Sequence, residues 1–398
     1  MKVAILTIGT AGDLFPCISI ARSLERMQHG VRLVAAPRLA AMARMYGLQT
    51  LADPLGDLSP SNVSGYFSAG RHGLQGLLSS MRNVVIPEVA PSARRLIPKL
   101  SDVDCIVAHP LYLAAPLIAD ALQVPLVALS WNLWWQLDLP LVSPERQKEH
   151  KRSFEWYLAE CALALREVGG TGSLDPADIA AWPERLAARS LPLVEPAIAG
   201  PATKGIGLPR FTPPLADTES IAAFRAAPGP RVVVTLGSVR LPNREVVRQR
   251  ILDGCGQLAA SVFVTGEPPS LERTASGHGV MTAKLPPLGE LAASADLVVH
   301  HGGIGTSCEV AAAGVPALIL PCCNDGFLNA EALARTGAAS VLPWQQAGVG
   351  AVDSLTEAIG SVSYRTAALA LAGKISAAGV AAQRAAEAIV GTAATGHG

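Results

Sequence analysis

Charge is scarce in this sequence and has no net sign. Asp, Glu, Lys and Arg make up 16% of the 398 residues, and 32 basic side chains face 32 acidic ones. Such a chain lacks the electrostatic footprint for a phosphate backbone, so nucleic acid is not expected as a partner. Cysteine offers no framework either. The seven, at 17, 105, 161, 255, 308, 322 and 323, form no CxxC pair and no metal-ligand spacing. An odd, scattered set fits free thiols in a reducing cytoplasm. No apolar run approaches the ~18 residues of a membrane span. A positive mean hydropathy still permits peripheral membrane contact or a greasy ligand site. The start, MKVAILTIGT, holds one Lys and a short apolar run. It lacks the long apolar core and cleavage site of a signal peptide and reads as a first strand.

What is present is apolar bulk with a rhythm. Half of the residues are apolar, and one core rarely grows beyond ~250–300 residues, so two domains are the natural reading. Val3–Ile8 is apolar without alternation, as suits a strand covered on both faces. A turn at Gly9 and Gly12, a helical stretch from Leu14 to about Gln28 and a second apolar run, Val31–Ala35, complete a βαβ unit. Cys105–Ala108 and Leu126–Leu129 read as strands around a helix, Leu111–Leu122. Residues 131–200 lack clear buried strands and read as an insertion lining a pocket. The proline-rich stretch at 206–230 reads as a linker. Beyond it Val232–Leu236, Val262–Thr265, Leu297–Val299 and Ala317–Leu320 repeat the strand pattern. The domains expected are 1–205, 231–375 and a C-terminal helical segment, 376–398.

The densest chemistry lies in DLVVHHGGIGTSCEVAAAG, Asp296–Gly314. A buried strand ends there, His300, His301, Gly302 and Gly303 make a turn, and a helix starts near Ile304 or Gly305. Glycines at 302, 303 and 305 admit a ligand close to the backbone. Unpaired amides and the positive end of the helix then hold a phosphate group. His301 is placed to donate to a diphosphate oxygen, Thr306 and Ser307 offer hydroxyls, and Glu309 lies a turn further on, within reach of ribose hydroxyls. The plain alternative is a tight strand–helix turn with no ligand.

This window and the LILPCCNDGFLNA that follows, residues 318–330, resemble the donor-binding signature of family 1, UGT-like glycosyltransferases. The similarity is to their bacterial antibiotic and rhamnolipid- or sterol-type members. It implies the GT-B fold, an α/β architecture of two facing Rossmann-like domains with parallel sheets and an active site in the cleft between them. By position it puts His301, Gly303, Gly305 and Thr306 on the diphosphate, Glu309 on the ribose, and Asn324 and Asp325 at the transferred sugar. The family usually carries Gln after the acidic residue; here Gly326 removes one amide. Ser238 matches a second phosphate loop, and Leu285 the loop that flanks the base.

The same resemblance turns the Gly9–Pro16 loop, GTAGDLFP, toward the acceptor and makes Asp13 the base that takes the acceptor proton. Read without it, Asp13 caps a helix, and the two roles coexist. His109 follows a strand at the sheet edge where open α/β folds place ligands. An Asp13–His109 dyad is therefore expected, with either as the proton acceptor, unless His109 is merely satisfied at its turn. Five of the six tryptophans fall at 131, 134, 135, 156 and 182. Trp131, Trp134 and Trp135, with Phe15, are read as acceptor contacts, against ordinary packing. Asp102-Val103-Asp104 has metal-motif spacing but precedes a strand, away from the ligand edge. No metal or bound cofactor is expected.

The sum is an inverting transferase that moves a sugar from a UDP- or dTDP-sugar to a hydroxyl of a small apolar acceptor. The alternatives are an epimerase or cell-wall-type transferase on the same fold, or a binding protein without catalysis.

Overall fold

Short β-branched runs flanked by helices assemble into two separate parallel sheets. The computed structural model describes residues 1–55, 57, 81–131, 142–152, 154, 155, 159, 190–200, 205–214, 218–237, 243–273, 278–322 and 324–395. The first sheet holds β1 Lys2–Leu6, β2 Gly30–Ala35, β3 Thr50–Ala52, β4 Cys105–Ala108, β5 Leu126–Ser130 and β6 Ser190–Pro192. All are parallel, in the order β3-β2-β1-β4-β5-β6. The second holds β7 Arg231–Thr235, β8 Ser261–Thr265, β9 Ser270–Arg273, β10 Gly279–Ala283, β11 Leu297–His300, β12 Ala317–Ile319 and β13 Ala339–Val341. Its order is β13-β12-β11-β7-β8-β10-β9, with β9 an antiparallel edge. Leaving out β9, each sheet reads 3-2-1-4-5-6 along its own chain order, the doubly wound arrangement in which the carboxyl ends of the central strands face ligands.

The central strands are buried on both faces, from Val3 to Leu6 and from Leu297 to His300, which is why they lack alternation. The short strands β3, β6 and β13 carry exposed or half-buried residues instead of an unbroken buried run, so they escape the sequence pattern, as do β9 and β10. Two boundaries differ from expectation. The first helix runs Ala11–Arg26 and is capped by Thr10, so Asp13 is its third residue rather than its cap. The helix expected from Leu111 starts at Ala115, because residues 109–114 form a turn in which Leu111 N–H donates to His109 Nδ1. The stretch read as linker includes a helix, Thr218–Arg225.

The halves touch through polar ties. Arg210, in the connecting segment, donates to the carbonyls of Cys308 and Ser376, while its own carbonyl accepts from Ser19 Oγ. The buried Glu195 accepts from Leu208 N–H and Ser376 N–H. Glu331 of the second half accepts from Ser143 N–H of the first at 2.6 Å. The last helix, Ala378–Thr395, packs on Ala11–Arg26. Among the described residues no helix is long and apolar enough to cross a membrane.

Candidate functional site

The loop after β1 is built around one carboxylate. Asp13 Oδ2 accepts from Thr10 N–H at 2.7 Å and from Thr10 Oγ at 3.1 Å, closing a capping box. Gly9 has φ +111°, and a Cβ there would lie 2.3 Å from Asp13 Oδ2. Glycine is therefore required both by the backbone and by the carboxylate. The other oxygen, Oδ1, accepts from the indole N–H of Trp131 at 3.0 Å. Burial pushes the Asp13 carboxyl above its ordinary value, against the opposing effect of these donors.

His109 lies beneath this group. It is 3% exposed, and burial holds its imidazole down at about 3. Its ring packs on Trp131 with centroids 4.6 Å apart. No hydrogen bond between Asp13 and His109 is found among the described residues; Trp131 stands between them. The expected dyad is thus replaced by a carboxylate, an indole and an imidazole in sequence. Trp131, 2% exposed, underlies the Asp13 carboxylate instead of forming an open acceptor wall.

In the second half β11 ends on His300, fully buried, whose Nδ1 accepts from Gly302 N–H at 3.2 Å. His301 fits between two glycines: a Cβ at Gly237 would come within 2.8 Å of its ring, and one at Gly303 within 2.6 Å of Nε2. Burial lowers the His301 pKa to about 4, helped by Arg244 and opposed by the Thr235 backbone. The ring is neutral at neutral pH. The helix Ile304–Ala313 follows, with Gly303 as N-cap and no side-chain cap, so its first amides have no acceptor within the chain's own helix. Thr306 is half-buried at this start, whereas Ser307 is fully buried. Glu309 lies against Gly289, where a Cβ would meet Oε2 at 2.7 Å. Burial raises its pKa and Arg210 opposes the rise.

The helix Asn324–Arg335 adds the third wall. The Asp325 carboxyl is pushed up to about 6, first by burial and then by the charge of Asp13. Carboxylates from the two halves therefore lie within electrostatic reach of each other. Asn329, one turn on and fully buried, donates to Gly302 O at 2.9 Å and to Asp325 Oδ2 at 3.3 Å. Sequence reading missed it, although the i,i+4 spacing from Asp325 on a helix is a usable signal. Gly326 is pressed on the 301–302 turn, with its own Cβ position 3.3 Å from His301 O; the close backbone contact accounts for the missing side chain there.

The remaining candidates are placed as follows. Leu285 is 38% exposed. Phe15 packs against Phe211 of the connecting segment at 5.7 Å, a contact at the junction of the halves. Ser238, Trp134 and Trp135 lie outside the described residues. Asp102 sits at the opposite sheet edge, paired with Lys2 and Arg32. Among the described residues no group of metal-ligating side chains assembles.

Two Rossmann-like sheets of this order, with an open glycine-lined helix start in one and a carboxylate loop in the other, make up the GT-B fold. Comparison with known proteins agrees. Residues 3–136 match the glycosyltransferase family 28 N-terminal domain, and residues 249–390 match the C-terminal domain of erythromycin biosynthesis protein CIII-like proteins. The L-demethylnoviosyl transferase of Streptomyces niveus is 27% identical, over 86% of this chain and 85% of its own length. Among solved structures, the spinosyn rhamnosyltransferase SpnG matches with a TM-score of 0.69 at 21% identity, covering 97% of this chain and 100% of that one. The Streptomyces sp. SF2575 glycosyltransferase SsfS6, complexed with thymidine diphosphate, matches at 0.65 and 20% identity, over 97% and 99%. The matches identify the chain as a glycosyltransferase that is similar, in both halves, to bacterial antibiotic-type enzymes.

Proposed function

We propose that this glycosyltransferase moves a sugar from a dTDP- or UDP-sugar to a hydroxyl of a small apolar acceptor, with inversion at the anomeric carbon and Asp13 as base. The observation that carries the reading is a helix start without a side-chain cap in one half and the Asp13 carboxylate loop in the other, with Asp13 near enough to Asp325 to act on its charge. Donor and acceptor then enter from opposite walls. Asp13 takes the acceptor's proton, and its raised pKa makes it the stronger base. The acceptor oxygen bonds to the anomeric carbon from the face opposite the diphosphate, whose bond to that carbon breaks. The electron pair leaves with the diphosphate. Its charge meets the amides of 304–306, the neutral His301 as donor and Thr306, groups already in position before the reaction. Glu309 takes the ribose hydroxyls. Asp325, held by Asn329, takes the sugar. Thymidine diphosphate in a structural relative supports a dTDP donor, and the tryptophan-rich segment supports an apolar acceptor.

The test is Asp13→Asn. Transfer should fall by about 10²–10⁴-fold, while dTDP binding measured by calorimetry stays unchanged. Transfer at the wild-type rate would remove Asp13 from the chemistry. Binding lost together with transfer would put the nucleotide on the wrong half.

A further inference from the structure

The carboxylate of Asp13 offers about four lone-pair positions. Two, on Oδ2, meet Thr10 N–H and Thr10 Oγ. One, on Oδ1, meets the Trp131 indole. We infer that Trp131 is a positioning residue that aims the base, leaving one lone pair on Asp13 Oδ1, unmet among the described residues, as the landing point for the acceptor's proton. This rests on the reading of Asp13 as base.

Three observations support it. Trp131 is 118 residues from Asp13 in sequence, yet its only polar atom reaches that carboxylate. The ring is buried and lies on His109 at 4.6 Å with a 49° tilt. His109 is fixed in turn, since its Nδ1 accepts from Leu111 N–H at 3.1 Å. The result is a stack running from the β4 turn to the carboxylate. An indole N–H is a donor only; it orients Asp13 but has no site to receive its proton. His109, a neutral ring accepting at Nδ1, carries its proton on Nε2, so it supports the indole and is not a proton acceptor. The proton leaving the acceptor hydroxyl therefore ends on Asp13 Oδ1, as the new carbon–oxygen bond forms and the diphosphate departs with the bonding pair of the old one.

Trp131→Phe keeps a ring on His109 and removes the N–H. We expect kcat to fall about ten- to hundredfold, as for a lost hydrogen bond to a charged group, with the donor KM unchanged. The acidic limb of the kcat–pH profile should move to higher pH, because the charged carboxylate loses a donor. An unmoved limb with unchanged kcat would overturn the assignment. Asp13→Asn in the same assay separates the two levels. If it is inactive while Trp131→Phe behaves as wild type, only the role of Trp131 fails; if it is active, the base itself is misassigned. Should Trp131→Phe misfold, the intact protein still answers. In 15N spectra the Trp131 indole signal should titrate with Asp13 and cease to do so in Asp13→Asn. A signal indifferent to pH in the wild-type protein would overturn the proposal.

Discussion

The two halves share a strand order and place a buried histidine at the end of β11 and just after β4, but they treat the helix starts at their ligand edges differently. His109 accepts from Leu111 N–H and His300 from Gly302 N–H, at 3.1 and 3.2 Å. Beyond that point the halves part. In the first, a turn leads into Ala115–Leu122, whose first turn contains Pro116 and so lacks an amide. The other helix at that edge, Ala11–Arg26, is closed by Thr10 and Asp13. In the second, two glycines lead straight into Ile304–Ala313 with nothing capping it. A carboxylate in the first turn satisfies the amides and repels an anion; glycine leaves the amides for one. The same architecture thus presents a capped carboxylate loop on one side and an uncapped helix start on the other.

Substitutions at the two glycine turns test this contrast most severely. Gly9→Ala would put a Cβ 2.3 Å from Asp13 Oδ2 and displace the base. Misplacement of that size costs about 10²-fold in kcat, with nucleotide affinity unchanged. Gly303→Ala would crowd His301 Nε2 at 2.6 Å and should instead weaken nucleotide binding by more than about tenfold. Steady-state kinetics and calorimetry on both variants would reverse the assignment of the halves if the effects were exchanged. Next in size, His301→Ala removes one donor to a charged diphosphate and should weaken dTDP binding about ten- to hundredfold. Unchanged affinity would move His301 out of the donor site.

The paired histidines give a smaller effect, visible in stability. His109 and His300 titrate at about 3 in the folded chain, against 6.5 ordinarily. Between those values the unfolded chain binds more protons, so stability falls as pH is lowered through the window. Asp325, raised to about 6, works the other way and favours the fold at low pH. His300→Asn retains an acceptor for Gly302 N–H and removes one titration. The decline of Tm from about pH 6.5 to about 3 should become shallower; an identical slope would mean that the buried ring is not held neutral. The smallest effect is expected at Leu285, 38% exposed. Leu285→Ala should change stability by less than about 0.5 kcal/mol and nucleotide affinity by less than about tenfold. A larger loss of affinity would make Leu285 a main contact of the base.

Much of the architecture was legible in the chain. Unalternating apolar runs mark strands covered on both faces, and Cys105–Ala108 coincides with β4 residue for residue. The glycines and histidines of 300–305 mark the open turn, because backbone approach restricts which residues fit. The carboxylate loop was legible too, through Gly9 and Asp13, neighbours in one loop. What stayed hidden are the groups that hold these residues. Asn329 reaches Gly302 O, Gly289 makes room for Glu309, and Trp131 reaches Asp13. Each depends on elements far apart in the chain.

Sequence by itself therefore determined the central apolar strands of both halves, the glycine turn and the carboxylate loop, because burial pattern and local backbone geometry are written in neighbouring residues. Only the tertiary structure decided that Asp13 answers to an indole rather than an imidazole, and that Asp325 lies within reach of the charge of Asp13. Distances between side chains on different strands are set by packing, which no stretch of sequence carries alone.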